Sequence, residues 1–277
     1  MPHCLLRRGL PGLVRAAAPG SRLAAVTALA RGTSSRMLKV QLCQPAGECG
    51  TVVVRWRAGS DHGDQARVIC AEASVLRSVR AASIPVPAVL YVDAAGCYLG
   101  APAVVLEYIT GEVGLHPADP LAAAMELAGW LAAIHAVRPP AALDLRPVER
   151  PPGLADQGEQ PVLLHGDFWP GNTIWQDGRL AAIVDWEDAA VGDGLADVAN
   201  ARLELTWFWG EAAADAFTRS YGASAGRSLA GLPAWDRHVA ERKTTQIGRW
   251  GLPTATVDRM LLELNAFLRR AQQPYPR

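Results

Sequence analysis

The residues best suited to chemistry lie in HGDFWPGN, residues 165–172, where a His, an Asp and an Asn stand between apolar runs. Just downstream, Asp177-Gly178 separates the short apolar stretches 173–176 and 179–184. Asp-Gly in that setting specifies a two-residue hairpin, because a type I′ turn needs positive φ at both positions. The turn implies a register in which residue 176 faces 179 and residue 172 faces 183. Asp185 then shares a face with residue 183 and lies diagonally across from Asn172. Such diagonal neighbours are ~7–8 Å apart, near enough for two side chains to converge on one cation. Asp167 stands on the loop entering this open end. Each residue alone reads as a cap or a turn former. Together, Asp167, Asn172 and Asp185 are expected around one small volume, as hard oxygen ligands that suit Mg²⁺ and, through its waters, phosphates.

The elements that must position these groups are legible in outline. Residues 5–17 carry the spacing of an amphipathic helix. Strands are expected over 22–30, 37–42 and 51–57, the last reading TVVVRWR. The stretch 64–83 reads as a helix with Asp64 as N-cap and Val68, Val75, Leu76 and Val79 on one face. Glu72 falls on that same face. A carboxylate there either meets a cation or sits at the stripe's edge and reaches solvent. Two further strands follow at 88–92 and 103–108. A helix begins after Asp119 with Leu121, Met125, Ala128, Leu131 and His135 on one side. The remainder reads as helical apart from the hairpin, so a strand-rich part gives way to a helix-rich part near residue 109.

Composition narrows the function classes. Lys+Arg and Asp+Glu balance at 27 each over 277 residues, so no global field points to nucleic acid or an anionic membrane. No apolar run approaches the ~18 residues that span a bilayer. The five cysteines form no C-x-x-C pair and read as reduced thiols in a cytoplasmic protein. Residues 1–47 contain no acid and seven basic residues, a pattern shared by removable targeting segments. The periodicity favours instead a helix and strand of the fold. GASAG, residues 222–226, matches the hydrolase nucleophile elbow literally. That elbow must follow a strand, however, and AAADAFTRSY before it reads as helix.

HGDFWPGN followed by IVDW (183–186) resembles the H-x-D-x-x-x-x-N loop and metal-binding Asp of the kinase fold. Its His-Gly-Asp form is similar to the aminoglycoside phosphotransferase and choline kinase-like family of small-molecule kinases. Further likenesses follow in the family's order over residues 20–250. They are RGTSS (31–35) as an abbreviated phosphate-covering loop, VLEYITG (105–111) as the hinge and GDGLADVA (192–199) as the segment after the metal Asp. The resemblance implies an α+β, bilobal protein-kinase-like fold. An antiparallel-sheet N-lobe over 1–108 would bind the nucleotide, and a mostly helical C-lobe over 109–277 would carry catalysis and the acceptor. It implies ATP and Mg²⁺ as cofactors and a small hydroxylated molecule as partner. Gly32 and Ser34 would contact phosphates; Glu107 and Ile109 would meet adenine through their backbones. Arg55 would take the phosphate cation position, with Glu72 as its partner, although Arg57 shares its strand face. Asn172 and Asp185 would hold the metal, Asp167 would be the catalytic base, and His165 and Asp197 would support the loop.

The acceptor is less defined. Glu187, Asp188 and Glu204 follow the metal Asp, where a cationic acceptor such as an aminoglycoside would find carboxylates. Trp207, Phe208 and Trp209 offer stacking for an apolar or quaternary ammonium compound, or simply pack a core. A nucleotide-binding protein that keeps the kinase fold without efficient turnover is the rival reading, supported by the single glycine in the 31–35 loop. Monomer and homodimer both stay open.

Overall fold

The computed structural model describes residues 3–29, 35–45, 47–57, 62–139, 145–154 and 159–272, with side chains from residue 8. It divides into two compact units that meet in the chain at Thr110 and Gly111.

In the first unit, helix α1 (His3–Ala17) precedes strands β1 (Arg22–Ala28), β2 (Ser35–Cys43) and β3 (Cys49–Arg57). Helix α2 (His62–Ala81) and strands β4 (Val89–Asp93) and β5 (Ala103–Glu107) follow. The strands form one antiparallel sheet in the order β1-β2-β3-β5-β4. Alternation along β3 assigns its two faces. Val52, Val54 and Trp56 point to one side, where Leu10, Leu13 and Val14 of α1 complete a buried core. The amphipathic helix and strand expected at the N-terminus are therefore parts of the fold. Gly9 permits the approach of α1, since a Cβ there would lie 1.8 Å from the carbonyl oxygen of Tyr98. Arg55 points to the opposite side of β3, toward α2. That helix starts one turn's fraction earlier than its sequence suggests. Asp64 therefore lies within the first turn, where it pairs with Arg67 at 2.9 Å, and not at the N-cap position.

The thiol expectation is overturned at the β2–β3 hairpin. Cys43 and Cys49 face each other as its last cross-strand pair, with Cα atoms 4.1 Å apart, and form a disulfide. Their spacing in sequence matches no motif; only the strand register brings the sulfurs together. Cys70 and Cys97 are free and exposed.

The second unit opens with β6 (Glu112–Val113), α3 (Pro120–Ala136) and β7 (Val162–Leu164). The hairpin strands β8 (Thr173–Gln176) and β9 (Arg179–Ile183) are followed by β10 (Ala190–Gly192). Helices α4 (Leu195–Trp209), α5 (Glu211–Ala225), α6 (Leu232–Gln246) and α7 (Thr254–Arg270) complete it. Here α3 packs on α5, and α4 packs on α5, α6 and α7. More strand is present than the sequence suggests: β6 adds to the hairpin sheet, and β10 pairs with β7. Residues 222–226 end α5 and do not form an elbow after a strand.

The helix expected after Asp119 is α3, and Asp119 caps it, its carboxylate accepting the N–H groups of Leu121 and Ala122. Of the face expected on α3, Ala128, Leu131 and His135 are buried, whereas its first two residues are not. Leu121 and Met125 are 47% and 54% exposed, whereas Ala123, Ala124, Leu127 and Ile134 are buried. Apolar residues surround this helix, so periodicity singles out no face, and its alanines allow close contact with α5. Among the described residues, no helix is long and apolar enough to cross a membrane.

Thiol titration in denaturant is expected to find at least two fewer thiols before reduction than after it. Equal counts would show that Cys43 and Cys49 are not bonded. Replacing both by Ser should lower stability by about 2 kcal/mol in urea denaturation, the chain-entropy value for so short a loop.

Candidate active site

Strand β7 delivers the chain into residues 165–172 from a fully buried position. There, Asp197 in the first turn of α4 receives the loop's backbone. Its two oxygens accept the N–H groups of His165 at 2.7 Å and Gly166 at 3.0 Å. It also accepts Nε2–H of His135, at 3.3 Å, and the carboxylate is 2% exposed. His135 in turn contacts the Tyr221 hydroxyl through Nδ1, at 2.8 Å. Burial pushes the Tyr221 phenol well above its ordinary value, so it stays a neutral hydroxyl.

His165 is fully buried and links two segments. Its Nε2 lies 3.0 Å from the carbonyl oxygen of Val184, while its Nδ1 lies 3.3 Å from the N–H of Asp167. A carbonyl only accepts and an N–H only donates, so the ring is the Nε2–H tautomer. Phe168 and Trp186 pack on the ring, with centroids at 5.8 and 4.5 Å. Gly166 has φ +84°, and a Cβ there would meet the Asp188 carbonyl oxygen at 2.0 Å. The glycine of His-Gly-Asp is thus a steric requirement of the approach between these two segments.

Asn172 ends a tight 3₁₀ turn over Pro170–Asn172 and is 8% exposed. Its amide nitrogen donates to the Asp167 backbone oxygen at 2.9 Å and to its carboxylate at 3.1 Å. Asp167 and Asn172 are therefore brought together directly. The Asp177-Gly178 turn has the expected pair of positive φ values, 51° and 75°. The register beyond it differs from the expected one. Gln176 does face Arg179, but a bulge skips Ala181, so that Thr173 and not Asn172 faces Ile183. Asn172 instead accepts the Val184 N–H through its carbonyl, at 2.9 Å. Asp185 follows with φ +64°, so its direction is set by a left-handed residue and not by strand alternation. Val184 ties the segment carrying Asp185 to both His165 and Asn172.

In the first unit, Arg55 forms an ion pair with Glu72, and both residues are 3% exposed. The carboxylate on the buried stripe of α2 thus meets a cation. Glu107 is committed through its side chain to the Ala88 N–H at 3.0 Å and to Arg80 at 3.4 Å. Its own N–H donates to the Ala88 carbonyl. Among the described residues, no backbone hydrogen bond involves Ile109. Gly32 and Ser34 lie outside the described residues.

The three candidate acceptor carboxylates separate. Glu187 is half-buried. Asp188 pairs with Arg146 at 3.0 Å on the exposed surface. Glu204 is 5% exposed and holds Lys243 at 2.6 Å. Burial raises its carboxyl above the ordinary range, with Lys243 pulling the other way and Asp167 adding a smaller upward push. Trp207 is a core residue, its indole N–H donating to the Met260 carbonyl. Trp209 donates to Leu115, and Phe208 packs on Trp169. A cavity of about 590 Å³ opens elsewhere in this unit, beside Trp175 and the turn at Asp177, and contains none of the candidate site residues. His135, Tyr221 and Lys243 were not singled out as site residues in the sequence. The only signal for them was a polar group on an otherwise apolar helix face.

The profile of the phosphotransferase enzyme family matches residues 25–157 and 141–238. This chain belongs to that family. The family's class, small-molecule phosphotransferases, is the one the resemblance implies. An Escherichia coli hygromycin-B 4-O-kinase is 38% identical over 45 residues, a match spanning 16% of this chain and 13% of the kinase. Solved structures resemble the chain over nearly its whole length. A Ralstonia eutropha JMP134 protein named for aminoglycoside phosphotransfer has a TM-score of 0.68 at 16% identity, covering 97% of this chain and 98% of its own. The macrolide 2′-phosphotransferase of Brachybacterium faecium reaches 0.63 at 21% identity, covering 96% and 99%. An aminoglycoside 2″-phosphotransferase solved with GDP and kanamycin reaches 0.62 at 16%, over the same shares. At such identities the likeness shows the fold, which is the kinase-like α+β fold expected.

Asp197→Ala would leave two backbone N–H groups and an imidazole N–H without their acceptor in a buried site. The expected loss is about 3–5 kcal/mol in urea denaturation, with a smaller loss for Asp197→Asn. A loss below about 0.5 kcal/mol for the alanine variant would mean that the loop is not held there.

Proposed function

We propose that this phosphotransferase moves the γ-phosphate of ATP to a hydroxyl group of a small molecule, with Mg²⁺ as its metal. The observation that carries the reading is the grip of Asn172 on Asp167. Both amide N–H groups of Asn172 go to Asp167, which fixes the carboxylate and leaves the amide Oδ1 as an acceptor beside it.

Asp167 acts as base. Its carboxylate, with one oxygen tied to Asn172, has the other to orient the acceptor hydroxyl and take its proton as the O–P bond forms. His165 holds the Asp167 N–H, and Asp197 holds the two preceding ones, so the base is preorganised and not recruited by loop motion. The donor set fits a hard divalent cation. Asn172 Oδ1 and the Asp185 carboxylate are the oxygen types that Mg²⁺ prefers, and Mg²⁺ needs few protein ligands because it retains waters. When bound, the ion neutralises charge on the transferring phosphoryl group. Arg55 is assigned to the nucleotide's phosphates in preference to Arg57, because Glu72 fixes its guanidinium. Adenine recognition is assigned to the backbone around Glu107 and Ile109, with Ile109 supplying the available N–H, and Gly32 and Ser34 to the phosphate-covering loop. The relatives solved with ADP or GDP make either nucleotide base a candidate.

The test is ADP release with ATP and Mg²⁺ over a panel of hydroxylated acceptors, comparing wild type with Asp167→Ala and Asn172→Ala. Asp167→Ala should lose about 10²–10⁴-fold in kcat. Asn172→Ala should raise the Mg²⁺ concentration needed for half-maximal rate, and excess EDTA should abolish turnover in all forms. Equal rates for Asp167→Ala and wild type would refute the mechanism. Nucleotide binding by thermal shift without Asp167-dependent turnover would favour a regulatory nucleotide-binding protein.

A further inference from the structure

Resting on Asp167 as the base, we propose that the phosphate acceptor is a neutral or singly charged hydroxyl compound with an apolar face. It seats on Trp169 and Phe208 and is not a polycationic amino sugar. Two sets of observations on residues near Asp167 converge on this.

The first is the state of the carboxylates. An acceptor bearing several ammonium groups needs unpaired acids to replace the water it loses. Glu204 lies within electrostatic reach of Asp167, but it is 5% exposed and closed by Lys243 at 2.6 Å. Lys243 is itself 7% exposed, and its ammonium lies 5.4 Å from the centre of the Trp250 ring. Trp250 packs edge-on against the buried Trp207, at 6.1 Å. Lys243 is thus built into the packing of α4 and α6, and an incoming ammonium group would have to displace a buried cation to reach Glu204. Asp188 has Arg146 beside it in an exposed pair that weighs much less, and Glu187 is half-buried and not without a partner.

The second is the aromatic surface. Trp169 follows the base by two residues. Its ring lies over Gly171, where a Cβ would come within 2.1 Å of it. Phe208 meets it at 5.4 Å with the planes 40° apart. Phe208 is one helical turn beyond Glu204 on α4, so the paired carboxylate and the aromatic pair lie along the same helix face. Both rings remain half-exposed. A rigid, partly solvated aromatic pair two residues along the chain from a hydroxyl-activating carboxylate gains by covering with an apolar ring face. It also tolerates a single ammonium over the Trp ring.

The experiment compares kcat/KM for kanamycin and hygromycin B with that for macrolides bearing a single amine and for neutral aromatic glycosides. The full chain is used with ATP and Mg²⁺, and phosphorylated product is read by mass. The best singly charged or neutral acceptor should exceed the polycations by at least about tenfold. Phe208→Ala should raise KM for that acceptor by about tenfold, while kcat and the KM for ATP stay within about twofold. Lys243→Gln, which uncovers Glu204, should raise kcat/KM for kanamycin. Because that variant leaves a buried acid unpaired, Glu204→Gln/Lys243→Met is run alongside and should keep the wild-type order. A wild type that prefers kanamycin, or a Phe208→Ala that leaves the acceptor KM unchanged, overturns the proposal while phosphotransfer stands. If no acceptor is phosphorylated in an Asp167-dependent manner, the phosphotransfer reading falls and this proposal falls with it.

Discussion

The arrangement of the loop at residues 165–172 depends on one buried carboxylate. Asp197 accepts from two consecutive backbone N–H groups and from His135, filling both oxygens of one side chain. Removed from water, such an acid is unfavourable unless its oxygens are filled, and the loop fills them. Position and solvation are thus the same interaction: His165 and Gly166 are placed where they are because the carboxylate needs them. From there the order spreads outward. His165 holds the N–H of Asp167 and the carbonyl of Val184, and Val184 holds Asn172. Each link is a hydrogen bond between buried or half-buried groups, so breaking one leaves a polar atom stranded and not merely resolvated.

Other buried charges in the second unit follow the same logic with a different outcome. Arg202 reaches both Asp236 and Thr218, and Lys243 reaches Glu204, joining α4 to α5 and α6. Burial raises the Asp236 carboxyl to about 6 even with Arg202 beside it. Desolvation therefore offsets much of what the pairing returns, and these contacts fix which helix faces meet more than they add stability. The Arg55–Glu72 pair of the first unit differs in that its cation is also the group assigned to phosphate.

How much was legible in the sequence depended on whether a local rule sufficed. The Asp177-Gly178 turn was readable because its backbone conformation belongs to those two residues. That Glu72 meets a cation was readable because an acid on an apolar stripe demands a partner; that the cation is Arg55 came from the family resemblance. The bulge at Ala181 was not readable. An alanine carries no mark of being skipped, and one skipped residue shifts the pairing of Asn172 by one. The face of α3 was readable only from Ala128 onward, because apolar residues surround the helix and the neighbour, not the pattern, decides what its first turns bury. The Cys43–Cys49 bridge and the Glu204–Lys243 pair lie beyond local rules altogether. The first needs a strand register, and the second needs the packing of two helices whose residues are far apart in sequence.

Asp185 occupies the left-handed region that L-residues with a side chain avoid, at a strain of order 1 kcal/mol or more. Glycine would adopt φ +64° without that strain, and a chain selected for thermal endurance alone would favour it there. The metal role proposed for Asp185 would put this position on the side of activity in the trade between a durable fold and a working one. Stabilising substitutions in this protein are therefore better sought among surface positions of the helical unit than in the segment that follows the hairpin.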